Sequence, residues 1–234
     1  MILDIDNSES VQAFVRTITS CWFDIDSMYH NLKSGRQTNW SSFWTFSDCM
    51  ISIISNYLKC SSEQFLKQWE DKCTICGAMI RGYHCTCHSN KDVFVTQGLL
   101  PLSEKTVKIC QNQKRPDANE VWNHSLGAGP YFFLSYKSAK NPDNSYFEGP
   151  EILLAVNGHQ PSSNRQKSIP LIIHCEIPFS ILPNKQWIIY CTLRAYLNLL
   201  DPEDGTDGLP EGAPIDLQGN PLDPNYIVKI EEEV

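Results

Sequence analysis

Two clusters of chemically capable residues stand close together in this chain. Cys73-Thr-Ile-Cys76 is followed by His84-Cys85-Thr86-Cys87-His88. A C-x-x-C pair and a C-x-C pair eight residues apart can supply four thiolates, from Cys73, Cys76, Cys85 and Cys87, to one tetrahedral Zn²⁺. The alternative is that Cys85 and Cys87 are small buried core residues. If the segment is a strand, side chains alternate between its faces. Cys85 and Cys87 then share one face, and His84, Thr86 and His88 share the other. A zinc site and a separate histidine site are compatible on those terms.

A second constellation spans Arg81-Gly-Tyr-His-Cys-Thr86, Gly98-Leu-Leu-Pro-Leu102 and Gly127-Ala-Gly-Pro-Tyr-Phe-Phe-Leu134. His84 has a ring nitrogen to offer a sugar hydroxyl. Tyr131 or Phe132 has a flat ring to set against a heterocycle. Gly127 and Gly129 permit close backbone approach. A structural histidine and a plain core strand remain the competing readings of the same residues.

The surrounding pattern is mixed. Residues 7 to about 72 read as helical: Val11, Phe14, Val15, Ile18, Trp22, Ile25 and Tyr29 keep three- and four-residue spacing, with Asn7 or Ser8 as the cap and Gly35 past the end. A second apolar segment runs from Trp40 to Leu58. Ser61 with Gln64 has the form of a capping box before a third helix holding Phe65, Leu66 and Trp69. From Cys73 onward, short apolar runs alternate with Gly, Pro and Asn. Strands are expected over 79–86, 131–136, 151–157, 169–177 and 226–230, with a short helix over 90–98 closed by Gly98. Residues 187–200 begin like a strand and continue with helix formers. Loops are expected over 137–149, 158–168 and 201–225. The fold class is α+β, with an N-terminal helical subdomain over 1–72 and a second domain over 73–234.

The second domain resembles the ADP-ribosyltransferase superfamily, on the Tyr83-His84-x-Thr86 strand, the helix with the Gly98-Leu99 turn and the Gly127–Leu134 segment. The resemblance is to the His-Tyr-Glu branch and its relatives among DNA-modifying toxins and RNA 2′-phosphotransferases. It implies a split β-sandwich that binds NAD in a cleft, with Arg81, His84, Thr86, Tyr131 and Phe132 as the NAD-binding residues. It implies transfer of ADP-ribose to a macromolecular acceptor, protein or nucleic acid, as in a toxin or antiviral effector. It also implies a catalytic carboxylate near the last strands. Asn225 stands where that Glu would precede Tyr226-Ile227-Val228, so Glu211 is the first candidate and Glu176 the second. Two other functions are open: a zinc-stabilised interaction module without turnover, and an NAD-dependent RNA 2′-phosphotransferase.

Composition narrows the partners. Charged residues are 20% and apolar residues 41%, enough for a core and too few charges for wholesale disorder. A net charge of −8 argues against duplex nucleic acid as the dominant partner. No run of eighteen apolar residues is present, so no membrane span is expected. The acidic start, Met-Ile-Leu-Asp-Ile-Asp, lacks the form of a secretion signal, and a cytoplasmic location is the expectation. The 10 cysteines are then expected as free thiols or metal ligands, not disulfides.

Overall fold

A computed structural model describes residues 1–35, 40–88, 90–101, 129–141, 169–202 and 214–233. The chain is α+β and divides into two compact units. The first comprises 1–80, 178–180 and 184–213; the second comprises 81–177, 181–183 and 214–234. The expected strand at 151–157, the expected loop at 158–168 and most of that at 137–149 lie outside the described residues, as does Glu211.

In the first unit, the expected single helix over the first apolar run is two. α1 (Ser8–Thr19) is capped by Asn7, whose Oδ1 accepts the Ser10 amide at 3.0 Å. It ends where the Trp22 and Phe23 amides turn back onto the Thr19 carbonyl. Asp24 then caps α2 (Ile25–Ser34) by accepting the Asp26 and Ser27 amides. Periodicity ran through this break because Trp22 still packs inward, its ring 5.1 Å from Phe65. The second apolar run is likewise split, into α3 (Trp40–Thr45) and α4 (Ser47–Tyr57), by the extended Phe46. α5 (Ser62–Ile75) carries both halves of the Ser61/Gln64 capping box, and Cys73 lies in its last turn.

The largest correction in this unit is α8 (Lys185–Leu200), helical from its start although Trp187–Tyr190 reads like a strand. Asn184 caps it, and residues 188–194 are buried nearly all round, which blurs the helical period. It packs on α1, α4 and α5. Polar links pin it there. Tyr196 Oη donates to Asp26 at 2.6 Å, Arg16 Nε donates to Tyr196 Oη at 3.1 Å, and Tyr190 Oη donates to the Trp44 carbonyl at 2.8 Å. A short strand β1 (Ile2–Leu3) pairs in parallel with Met79 and Ile80.

In the second unit the strands run in the order β5-β3-β2-β4-β6. They are β2 (Met79–His88, entering from the first unit), β3 (Tyr131–Phe133), β4 (Ile169–Pro178), β5 (Pro214–Asp216) and β6 (Ile227–Glu232). β2/β3, β3/β5 and β4/β6 are antiparallel. β3 is shorter than expected because Ser135 caps a one-turn helix, α7 (Tyr136–Ala139). The expected loop over 201–225 contains β5, which alternation could not reveal in a three-residue strand. α6 (Asp92–Gln97) ends on Gly98 at φ +73°, and a Cβ there would fall 2.0 Å from the Leu222 carbonyl oxygen. Leu99 and Leu222 form a bridge beside it. Among the described residues no helix is long and apolar enough to cross a membrane.

Candidate functional site

β2 sorts the candidate residues onto two faces. Tyr83 stands opposite Phe133 in β3. The antiparallel register therefore sets His84 with Phe132 and Cys85 with Tyr131, and opposed side chains share a face. The ring contact agrees: His84 and Phe132 lie 5.7 Å apart.

His84 Nδ1 lies 2.7 Å from the Tyr131 carbonyl oxygen. A carbonyl only accepts, so Nδ1 carries the proton. Burial lowers the pKa of the ring, against the opposing pull of that hydrogen bond. The imidazole is thus neutral at pH 7, and Nε2 holds a lone pair. Nε2 makes no hydrogen bond to any described residue. The side chain is half-buried, as is Thr86 on the same face. Gly82 beside it is a packing glycine: a Cβ would meet Ile177 Cδ1 at 2.9 Å and Phe132 Cβ at 3.3 Å.

Two expectations change here. Phe132 is 1% exposed, so its ring belongs to the core and offers no free face for stacking. Tyr131 is half-buried, but only its carbonyl meets the imidazole; its side chain shares the opposite face with Cys85 and Asp216.

The other face brings Arg81 and Glu176 together. Arg81 Nη2 donates to Glu176 Oε1 at 2.6 Å. The cation expected among the NAD-binding residues and the second candidate for the catalytic carboxylate therefore engage each other. Glu211, the first candidate, lies outside the described residues. Asn225 sits in a 3₁₀ turn, its amide donating to Asp223 Oδ1 at 2.8 Å.

Beside this pair is a polar cluster missed in the sequence. Glu231 on β6 accepts from Tyr136 Oη at 2.6 Å, Lys229 Nζ at 2.6 Å and His174 Nε2 at 3.2 Å. Lys140 Nζ stands 3.5 Å away. Lys229 and Tyr136, ahead of His174, hold its carboxyl down to about 2. Burial first, then the Lys229 charge, lowers the pKa of His174, so its neutral ring donates from Nε2. The rings of Tyr83 and Tyr136 flank it at 5.2 and 5.4 Å. Each charge here has an opposite partner and the carboxylate is saturated with donors. The arrangement therefore joins α7, β4 and β6 and makes a poor general base. The only signal in the sequence was alternation, His174-x-Glu176 and Lys229-x-Glu231, with no indication that the two segments pair.

Of the four cysteines, Cys73 and Cys85 are core thiols, and Cys76 and Cys87 are half-buried. Cys73 is buried in α5, and burial drives its pKa far up. Cys76 Sγ donates to the Cys73 carbonyl at 3.4 Å. Cys85 Sγ donates to the Ala139 carbonyl at 3.4 Å, and burial pushes its pKa up to about 12. Cys87 is half-buried. Cys73 and Cys76 belong to the first unit, Cys85 and Cys87 to the second. Among the described residues no three His, Cys, Asp or Glu side chains gather as a metal site requires.

No protein-family model matches this chain, and no curated protein and no solved structure matches it significantly.

Proposed function

We propose that the second unit is an ADP-ribosyltransferase-like split β-sandwich that acts on NAD, with His84 at the centre of the site. The observation that carries this reading is the 2.7 Å contact from His84 Nδ1 to the Tyr131 carbonyl. It makes the free nitrogen an acceptor, which suits a ribose hydroxyl and does not suit a phosphate. Further support comes from β2 and β3: two of the segments on which the family resemblance rests are neighbours in register.

In the proposed reaction the C1′–N bond between ribose and nicotinamide breaks. Its electron pair goes to the pyridinium nitrogen, which leaves neutral. A nucleophile of the macromolecular acceptor bonds to C1′ and gives up its proton. His84 contributes by holding a ribose hydroxyl and so orienting C1′. A carboxylate near C1′ would stabilise the developing positive charge; Glu211 is the candidate for it.

The second reading is NAD binding without transfer. It is favoured by the Arg81–Glu176 pair, which occupies the other candidate acid, and by Asn225 in place of a glutamate. The same pair removes a phosphate-holding cation from the RNA 2′-phosphotransferase reading, which has the least support.

The test is incubation of the pure protein with NAD, with and without lysate, followed by quantification of free nicotinamide. Release that is abolished in His84→Ala, with thermal unfolding nearly unchanged, supports transfer. NAD binding without release supports the second reading. Absence of binding, or a stability loss in His84→Ala above about 3 kcal/mol, refutes the assignment of His84 to a ligand site.

A further inference from the structure

The first unit carries an open groove of about 560 Å³ at the corner where α1 gives way to α2, lined by residues from Arg16 to Asp26. A cavity of this size suits a small ligand or the side chain of a partner. Two of its walls are aromatic. Trp22 and Phe23 both line it and are both half-buried. The Trp22 ring rests on Phe65, 5.1 Å away and tilted by 35°. Phe23 stands at 84° to Trp22, with the ring centroids 5.0 Å apart. The two rings therefore meet as a corner.

The charges around that corner are unequal. Arg16 is the only cation among the lining residues, and its charge is already matched. Its Nε donates to Tyr196 Oη at 3.1 Å, and its Nη2 donates to Asp26 Oδ2 at 3.4 Å. Asp24 has no ion-pair partner among the described residues. Its carboxylate accepts the Asp26 amide at 3.1 Å, the Ser27 amide at 3.2 Å and the Ser27 hydroxyl at 2.8 Å. The Ser27 bonds lower its pKa most and the Arg16 charge least, so it is ionised at neutral pH. The carbonyl end of α1 reaches the groove through Thr19 and Ser20, and a helix C-terminus favours positive charge.

We infer that this corner binds an organic cation, an alkylated ammonium group, with Trp22 and Phe23 against its methyl groups and Asp24 facing its charge. Aromatic faces carry negative potential and attract a cation. Methylation weakens the hold of water on an ammonium, so such a group enters an aromatic corner at lower cost than a bare amine. An anion is disfavoured, since Arg16 is taken and Asp24 repels it. The group belongs either to a small quaternary amine or to a methylated lysine of a partner. The inference concerns the first unit and does not depend on the NAD reading.

Cys21 is exposed and lines the same groove, so its alkylation reports occupancy. The experiment treats the full chain with iodoacetamide and follows the Cys21 peptide by mass spectrometry, against rising choline chloride. Sodium chloride at equal concentration controls for ionic strength. The comparison ligand is 3,3-dimethylbutan-1-ol, which has the shape of choline without its charge. Saturable protection by choline is expected, with the neutral alcohol about 5- to 30-fold weaker. Asp24→Asn keeps an N-cap acceptor for α2 and is expected to weaken choline about 2- to 5-fold. Phe23→Leu removes one wall and is expected to weaken choline about 5-fold or more; circular dichroism confirms that both variants fold, and either one alone suffices for the test. A trimethyl-lysine peptide that protects more tightly than choline marks a partner's side chain as the source; choline at equal or greater affinity marks a small amine. Equal protection by the neutral alcohol, no protection by any probe, or unchanged choline affinity in a folded variant overturns the inference.

Discussion

Replacing Glu231 by glutamine removes one charge and little volume from the cluster on α7, β4 and β6. Tyr136 keeps an acceptor, whereas Lys229 loses its counter-ion and His174 a charged acceptor. A carboxyl held at about 2 instead of 4.5 corresponds to about 3 kcal/mol in favour of the ionised form if nothing is screened. The side chains of Lys229 and Lys140 are 59% and 48% exposed, so solvent screens much of their share and the expected cost is about 1–2 kcal/mol. In a chain of this size that is a fall in transition temperature of about 2–8 °C. The folded pKa lies below the unfolded one. The stabilisation is therefore complete above about pH 4.5 and is lost as pH falls toward 2, with less than about half remaining at pH 3. Differential scanning calorimetry of wild type and Glu231→Gln at pH 7, 5 and 3 measures this. A gap that is absent at pH 7, or equally large at pH 3, refutes the account of the cluster as an ionic staple.

His84→Ala is expected to remove nicotinamide release and leave thermal unfolding nearly unchanged, as judged by chromatography and calorimetry together. Asp216→Asn has a pH signature in stability. The raised pKa of Asp216 means that wild type loses stability relative to the variant as pH rises through that value; urea unfolding at pH 4 and pH 7 reads it. Gly82→Ala should cost about 1–2 kcal/mol by overpacking, since its Cβ meets Ile177 and Phe132, and a lowered urea midpoint measures that. Ser61→Ala deletes one half of the capping box of α5 and should cost about 1 kcal/mol. An unchanged midpoint would show that α5 is held by packing alone.

Local features were legible because chain geometry imposes them. Asn7 and Ser61 cap their helices, β2 alternates across its two faces, and Gly98 closes α6, all from residues within one or two turns of each other. Where local signals conflicted, the reading erred. Trp187–Tyr190 has strand composition, yet burial on nearly every side of α8 masked its period. Tyr131–Tyr136 reads as one strand, yet the hydroxyl of Ser135 stops it.

The residue types at the candidate site came from the sequence by itself: an imidazole at 84 on a strand, aromatics at 131 and 132, an arginine at 81, and an asparagine at 225. Their chemical roles were decided by tertiary pairing. Only the β2/β3 register shows that His84 binds a carbonyl, and thereby leaves Nε2 as an acceptor. Only the placement of β4 beside β2 sets Glu176 on Arg81, and only the β4/β6 pairing sets His174 on Glu231. Alternation says which residues share a face of one strand. Which partner stands across from them depends on strands far apart in the chain, and those contacts determine whether a carboxylate is free to act or already engaged.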